Sequence, residues 1–360
     1  MPLGVCEMSR RGMRLDDMLA GDGASIRECL TIIDTHDVGT VFVVDHAGRL
    51  SGVVGEREIR RALISGAQPD DPVAGLVGSP SATARPEEGR AEVLDVMRAL
   101  GVGEIPIVDG DGRVVGVHVD TDVVGAEPLP HWAVVMAGGR GTRLAPLTDA
   151  VPKPMLPVAG RPILERIVLH LVGSGIRRIF LSVNYLGDIV EQYFGDGTAY
   201  GCTIDYLREE PDRPLGTGGA LGLLDDLGER PDAPVLLMNG DLVTGFSVAD
   251  LLAAHEALGG VATIATAEYE HQIPFGVLES DAGRLIRIVE KPRRSWAVNA
   301  GIYVLSPSLM ARVPRGKLFP ITRLFDDCLA SGERIGLWPL RDSWQDIGRP
   351  DELAHARGQR

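Results

Sequence analysis

The sequence predicts an α/β fold: a mainly parallel sheet with helices on both faces, preceded by a smaller α/β module. Three observations lead there. Beyond residue 131, short apolar runs alternate with amphipathic helical stretches, the pattern of a sheet wound with crossover helices. The apolar run 132–137 ends in a cluster of glycines, as a buried strand does when it delivers a loop to a ligand. The first third contains an internal repeat, which has to be recognised before any fold is assigned.

In that repeat, VFVVDHAGRLSGVVGEREI (41–59) and IPIVDGDGRVVGVHVDTDV (105–123) superimpose on a shift of 64 residues. Val43 then matches Ile107, Asp45 matches Asp109, Gly48 matches Gly112, Arg49 matches Arg113, Gly52 matches Gly116 and Glu58 matches Asp122. Each copy reads as strand, D-x-x-G-R turn, strand, and a helix start with acidic residues near its N-cap. Apolar helices are expected before each copy, at 26–33 and 92–100. One unit of about 55 residues buries its apolar face poorly, so two are expected to pack together. The predicted organisation is a module over 1–127, with repeats at about 15–66 and 73–126, and a second domain over 128–360. The proline-bearing stretch GAEPLPH (125–131) marks the boundary.

Composition narrows the class. The chain has 360 residues, 44% apolar and 24% charged, which excludes collagen-like, coiled-coil and wholly disordered proteins. A net charge of -14 repels nucleic acid and anionic membrane surfaces, so neither is expected as a partner. No apolar stretch approaches the ~20 residues of a membrane span, and no apolar signal core follows the N-terminal charges. The four cysteines (6, 29, 202, 328) form no CxxC pair, so neither zinc ribbon nor disulfide framework is indicated. The eight histidines lack ligand spacing and read as structural. A cytoplasmic protein is expected.

In the second domain, strands are predicted at 132–137, 178–183, 203–208, 235–239, 261–267, 284–290 and 299–305. Helices are predicted at 163–173, 187–194, 218–225 and 248–257. The first strand opens into GGRGTRLAPLTDAVPKPMLPVAGRPIL (138–164). Gly138, Gly139 and Gly141 let the backbone approach an anion and aim amides at it. Thr142 and Arg143 add donors, and Arg143 can fork onto phosphate oxygens. Lys153, between Pro152 and Pro154, is a point charge on a stiff segment. Neither the P-loop spacing nor the dinucleotide G-x-G-x-x-G occurs in this loop. The loop and the later NGD (239–241) both follow strands directly, which puts both in the crevice beyond the strand ends.

The joint pattern GGxGTRLxPLTxxxPKP resembles the signature of sugar-1-phosphate nucleotidyltransferases. The resemblance continues in order through PILERIV (162–168), LSVNYL (181–186), YFGDG (193–197), PLGTGGAL (214–221), NGD, EKP (290–292), NAGIYVL (299–305) and WQDIG (344–348). It implies a Rossmann-like nucleotidyltransferase fold and transfer of a nucleoside monophosphate to a sugar 1-phosphate, with release of pyrophosphate. It also implies Mg²⁺, held by Asp241 and Asp346, with Arg143 and Lys153 neutralising the triphosphate. The nucleotide would lie on Met136, Gly138, Gly139, Gly141 and Thr142, with its base near Gly216 and Thr217. The sugar phosphate would meet Gly276, Glu290, Lys291 and Asn299, while Asn184 either contacts substrate or caps the next helix.

PLGTGGAL lacks the Gln that uridylyl- and thymidylyltransferases of the family carry there, and so resembles the guanylyltransferases. GTP is therefore the expected donor. The repeat resembles a tandem pair of CBS domains. That architecture is similar to guanylyltransferases acting on glucosamine 1-phosphate in bacterial nonulosonic acid synthesis. Mannose- or heptose-1-phosphate guanylyltransferases, or a uridylyl- or thymidylyltransferase, stand as alternatives. A CBS nucleotide-sensing regulatory protein is the non-enzyme alternative, and the presence of Arg143, Lys153 and Asp241 argues against it.

CBS pairs often hold an adenine nucleotide through G-x-x-[ST]-x-x-D, whose hydroxyl and carboxylate grip ribose. Here the hydroxyl positions are Gly55 and Val119, and the carboxylate positions are Glu58 and Asp122. The module is therefore expected to act chiefly in assembling a homo-oligomer, with adenine nucleotide bound weakly or not at all.

Overall fold

A computed structural model describes residues 13–119, 123–124, 128–228 and 230–358. Asp122, one of the two CBS carboxylate positions, lies outside them. The chain forms two compact units. One comprises Met1–Leu129 with Val168–Arg178 and Phe194–Ile204; the other comprises Pro130–Ile167, Ile179–Tyr193 and Asp205–Arg360.

In the first unit the repeat is explicit. Strands Leu19–Gly21, Thr40–Val44 and Leu50–Gly55 make one small sheet, and Glu104–Val108, Val114–Val119 and Val123–Val124 make the other. The helix Ile26–His36 precedes the hairpin of the first copy, and Arg90–Leu100 precedes that of the second. The turn chemistry is duplicated too. Asp45 Oδ1 accepts the amides of Ala47 (2.8 Å) and Arg49 (2.9 Å). Asp109 Oδ1 accepts those of Asp111 (2.9 Å) and Arg113 (2.8 Å). The two turns then pair with each other: Leu50 N–H donates to the Gly112 carbonyl (2.9 Å) and Val114 N–H to the Gly48 carbonyl (3.1 Å). These residues differ by the same 64-residue shift, so the pairing has local two-fold symmetry.

The largest sheet among the described residues has seven strands: β1 (Leu129–Met136), β2 (Ile176–Val183), β3 (Thr203–Arg208), β4 (Val235–Asn239), β5 (Ala262–Gln272), β6 (Arg293–Leu305) and β7 (Ile335–Pro339). Their spatial order is β3-β2-β1-β4-β6-β5-β7. The sheet is mostly parallel: β1 with β4 and β5 with β7 are parallel, whereas β6 runs antiparallel to both its neighbours. Val134, Leu237, Tyr303 and Leu305 from the sheet pack with Leu324, Phe325 and Cys328 of the helix Ile321–Ala330 in a buried core. Near-continuous burial of β4, at Val235 to Met238, follows from covering both faces of the sheet.

Three departures from the sequence reading have physical reasons. The predicted strand 284–290 is present as Arg284–Val289, but it pairs only with Val277–Asp281 in a separate two-stranded hairpin. Strand β7 escapes prediction because IGLWP carries a Gly and ends in Pro, a composition tolerated at a sheet edge, and β7 is an edge strand. Gly336 there lets helix Val248–Leu258 approach closely, since a Cβ would lie 2.6 Å from Leu258 Cδ1. The predicted helix 218–225 is instead a four-residue helical turn, Gly216–Gly219, followed by a 3-10 run, Ala220–Leu227. Its glycines are matched to neighbouring backbone: a Cβ on Gly218 would lie 3.0 Å from Ile321 Cα, and one on Gly222 3.1 Å from the Pro314 carbonyl.

Candidate active site

The first functional segment leaves β1 at Met136. Gly240 N–H donates to the Met136 carbonyl (2.9 Å), and a Cβ on Gly240 would stand 2.7 Å from that oxygen. The NGD turn is thereby seated against the start of the glycine loop. Gly141 has φ +60°, and a Cβ there would lie 2.8 Å from Lys153 Cβ and 3.0 Å from Thr148 Cγ2. Both the conformation and the space call for glycine. Thr148 Oγ1 donates to the Gly141 carbonyl (3.0 Å), tying the loop closed beside Lys153.

Lys153 is buried, and its ammonium pairs with Asp241 Oδ2. Asp346 Oδ1 lies 3.8 Å from the same ammonium. The two carboxylates come together because Leu242–Thr244 and Trp344–Asp346 form a short antiparallel ladder. Ile347 N–H extends it by donating to the Asp241 carbonyl (3.0 Å). Asp241 Oδ1 and Asp346 Oδ1 are buried and accept no hydrogen bond. Burial, and then the neighbouring Asp241 carboxylate, push the Asp346 carboxyl above the ordinary carboxylate range, while Lys153 and Arg143 pull it back. Arg143 is exposed, and its guanidinium lies 3.5 Å from where a Cβ on Gly348 would be, just past Asp346.

Two half-buried carboxylates with unused oxygens, held beside a cationic loop, are a suitable donor set for a hard divalent cation that completes its shell with phosphate oxygens and water. Among the described residues no group of three or more His, Cys, Asp or Glu could hold a metal by itself.

Three segments meet around Gly138, where the base is expected. Gly138 has no room for a side chain: a Cβ would lie 3.1 Å from Asn184 Cβ and 3.4 Å from Glu209 Oε1. The Glu209 carboxylate accepts Ser182 O–H (2.8 Å) at Oε1 and Leu215 N–H (2.7 Å) at Oε2. Asn184 Nδ2 donates to the Glu210 carbonyl (3.1 Å). In the 214–221 loop, Gly216 has φ +75°, and the Thr217 hydroxyl accepts Ile321 N–H (3.0 Å). That bond occupies Thr217 at the start of helix Ile321–Ala330. Gly139 and Thr142 are exposed. Glu209 and Ser182 are the two site residues that sequence reading passed over: an acidic pair before a turn reads as solvated surface.

Of the residues expected to meet the sugar, Gly276, Glu290 and Lys291 lie together, whereas Asn299 stands six residues along β6 from Arg293 and is not brought to them. Gly276 adjoins Glu290, with a Cβ position 2.9 Å from Glu290 Oε2. Lys291 has φ +45°, a costly backbone for a residue with a side chain, and its N–H donates to the Phe275 carbonyl (3.3 Å). Asn299 Oδ1 accepts Gly301 N–H (2.9 Å). Asn299 stands opposite Thr266 in the β5–β6 ladder. On that side a groove of about 690 Å³ is lined by Thr266, Glu268, Ser295, Ala297, Arg341 and Trp344. Trp344 is fixed by its indole N–H, which donates to the Ala300 carbonyl (2.9 Å).

In the repeat module, Glu58 is exposed, and a Cβ on Gly55 would lie 2.6 Å from its Oε2. Glu104 Oε1 accepts Gly39 N–H (2.9 Å).

Comparison with known proteins identifies the family. Residues 132–359 match the family model for nucleotidyl transferases, and residues 13–65 and 73–127 match that for the CBS domain. The chain is 35% identical over 226 residues to mannose-1-phosphate guanylyltransferase of Mycobacterium tuberculosis (strain ATCC 25618 / H37Rv), covering 61% of this chain and 62% of that one. It is 33% identical over 232 residues to mannose-1-phosphate guanylyltransferase catalytic subunit beta of Danio rerio, with the same coverage. The chain thus spans 62% of the length of the curated relatives it matches. A Bacillus anthracis structure named as a glucose-1-phosphate thymidylyltransferase, in complex with a sucrose, aligns with TM-score 0.50 at 24% identity, covering 63% of this chain and 94% of that one, and shares the fold. The chain belongs to the nucleotidyl transferase family and carries a pair of CBS domains before the transferase domain.

Proposed function

We propose that this chain is a sugar-1-phosphate guanylyltransferase that joins GTP and a hexose or aminohexose 1-phosphate to give a GDP-sugar and pyrophosphate. The observation that carries the reading is the convergence of Lys153, Asp241 and Asp346 beside Gly141 of the glycine loop. In the reaction, a phosphate oxygen of the sugar phosphate forms a bond to the α-phosphorus while the bond to the β-phosphate breaks. The nucleophile is already ionised, so charge neutralisation and in-line positioning are the main demands. Lys153 and Arg143 meet the negative charge of the triphosphate. The loop amides after Gly138 hold the phosphates, and Glu290, Lys291 and Asn299 orient the sugar phosphate. Asp241 and Asp346 would hold Mg²⁺, which supplies further neutralisation of phosphate charge. The groove beside Trp344 is assigned to the acceptor sugar.

The transferase domain is taken as 128–360 and the module of 1–127 as an assembly element of a homo-oligomer in the cytoplasm; no helix among the described residues is long and apolar enough to cross a membrane. Guanylyl transfer is favoured by the Gly216-Thr217-Gly218 loop and by the names of the relatives. Mannose 1-phosphate is the first acceptor to test, followed by glucosamine 1-phosphate and a heptose 1-phosphate.

The test is pyrophosphate release with four nucleoside triphosphates against these acceptors. The expected result is a preference for GTP of at least ~10-fold in kcat/KM, about 1.4 kcal/mol. Equal rates with UTP or dTTP would refute guanylyl specificity. No release with any pair would refute the enzyme.

A further inference from the structure

Each copy of the repeat carries one arginine whose side chain its own turn does not use. In the turns DHAGR (45–49) and DGDGR (109–113), the aspartate and the glycine have defined roles. Asp45 and Asp109 each accept two turn amides. Gly48 and Gly112 adopt φ +78° and +82°, a region that favours glycine. The positions between them differ, His46 against Gly110 and Ala47 against Asp111, yet Arg49 recurs as Arg113. Both arginines are exposed, and only their backbones take part in the turns.

The pairing of the two turns sets these side chains against each other. Arg49 and Arg113 are antiparallel bridge partners. The bonds that frame them run from Leu50 N–H to the Gly112 carbonyl and from Val114 N–H to the Gly48 carbonyl, at 2.9 and 3.1 Å. The arginines exchange no backbone bond with each other. They are therefore the closer of the two antiparallel pair types, with Cα atoms about 4.5 Å apart and both side chains on one face. Like charges directly opposite each other on a ladder are destabilising. Salt at physiological strength screens only beyond about 8 Å. Among the described residues neither guanidinium has a carboxylate partner.

An oxyanion between the two reverses the sign of that interaction. Each guanidinium can fork onto a pair of oxygens, and the local two-fold symmetry offers the same fork from both sides. We infer that Arg49 and Arg113 together form an oxyanion site of the repeat module, which takes inorganic phosphate or pyrophosphate. Gly55 and Glu58 lie beyond the far end of strand Leu50–Gly55 from it, so the site is distinct from the adenine-nucleotide position. It does not rest on the guanylyl reading.

The test is thermal unfolding of the full chain in EDTA, with chloride, inorganic phosphate or pyrophosphate at equal ionic strength. EDTA removes cation-dependent binding in the transferase crevice. The wild type should melt about 2–4 °C higher in phosphate or pyrophosphate than in chloride, and the larger shift identifies the anion. Arg49→Gln and Arg113→Gln should each melt at or above the wild type in chloride, because the repulsion is relieved. Each should lose at least about half of the anion shift. Arg61→Gln, which removes an exposed charge from helix Glu56–Ile64 of the same module, should keep the shift in full. Hydrogen exchange of the wild type should slow in the anion at both arginine turns. A wild type that gains nothing over chloride overturns the inference whether or not the variants fold. So does an equal gain in the wild type and both Gln variants, because the anion then acts elsewhere. Variants that melt well below the wild type in chloride overturn it too, since the arginines would then stabilise the turns without an anion.

Discussion

Leu242 stands opposite Asp346 in a three-residue antiparallel ladder, and that register sets the Asp241 and Asp346 carboxylates beside one ammonium, that of Lys153. The two acids are more than a hundred positions apart in the chain. Their repulsion in the free protein is offset by Lys153. In the proposed substrate complex a divalent cation held by the two acids would offset it, leaving the ammonium to meet phosphate.

Asp241→Asn should abolish turnover while the chain stays folded. The amide keeps a carbonyl oxygen for Lys153 but loses the charge that holds a cation. Several kcal/mol of transition-state stabilisation should disappear, at least about 100-fold in kcat. Thermal unfolding and saturating-substrate kinetics across a Mg²⁺ series check this. Wild-type kcat at high Mg²⁺ sinks the assignment of Asp241.

Lys153→Met should have opposite effects on two readouts. Removing the ammonium leaves Asp241 and Asp346 facing each other unscreened, so Mn²⁺ should bind the nucleotide-free chain more tightly, by about 3- to 10-fold, or on the order of 1 kcal/mol. Turnover should fall, because the same cation no longer meets the triphosphate. Mn²⁺ titration followed by electron paramagnetic resonance, with parallel kinetics, separates the two. An unchanged Mn²⁺ affinity would show that Lys153 does not compete for the carboxylates.

How much of this was legible follows from where the information sits. The glycine loop and Lys153 lie in a short segment whose composition states its chemistry, whereas the pairing of Asp241 with Asp346 was anticipated only through the family resemblance of NGD and WQDIG, because the ladder that joins them leaves no local mark. The repeat was legible because Asp45 and Asp109 use the same side-chain-to-amide bonds within five residues of sequence. Glu209 was not, because its partners Ser182 and Leu215 come from other segments and nothing local distinguishes it from Glu210. Thr217 was expected near the base, and nothing local announces that its hydroxyl accepts the amide of Ile321, 104 residues away. Strand β7 and the separate hairpin containing Arg284–Val289 depend on which neighbour a strand finds, which apolar patterning does not encode.

His118 should make the repeat module acid-sensitive. It is buried in the strand Val114–Val119, its Nδ1 accepts and donates no hydrogen bond, and burial, aided by the Arg90 guanidinium, lowers its pKa to about 3. The unfolded chain binds this proton near pH 6.5. Folded and unfolded forms are equally neutral above that pH, so no penalty applies there. Below it the unfolded state takes up the proton first, and stability declines as pH falls toward 3. At pH 5 the loss from this group is about 2 kcal/mol. Thermal scans at pH 7.5 and 5.0 should show a larger drop for the wild type than for His118→Leu. Equal drops would mean that His118 is not held neutral.

Adenine nucleotides should bind the repeat module poorly, for a reason beyond the missing hydroxyls. Gly55 occupies the first hydroxyl position, and any side chain there would collide with the Glu58 carboxylate, 2.6 Å from the Cβ position. A Ser or Thr could be accommodated only by moving Glu58. The adjoining backbone is also taken: Gly39 N–H donates to Glu104 (2.9 Å), and the Gly39 carbonyl accepts Glu56 N–H (3.1 Å). Glu58 can still accept a ribose hydroxyl, but the motif's second hydrogen bond is missing and Gly39 N–H is already committed to Glu104, so a nucleotide loses favourable hydrogen bonding on the order of 1 kcal/mol for each. Calorimetry of the full chain with AMP, which carries no triphosphate for the transferase crevice, should therefore detect no binding below about millimolar concentration. Glu104→Thr, which removes the charge and frees Gly39 N–H, should bind AMP more tightly than the wild type. Micromolar binding of AMP to the wild type, with activity changing at the same concentrations, would establish the module as a sensor and overturn its assignment to assembly alone.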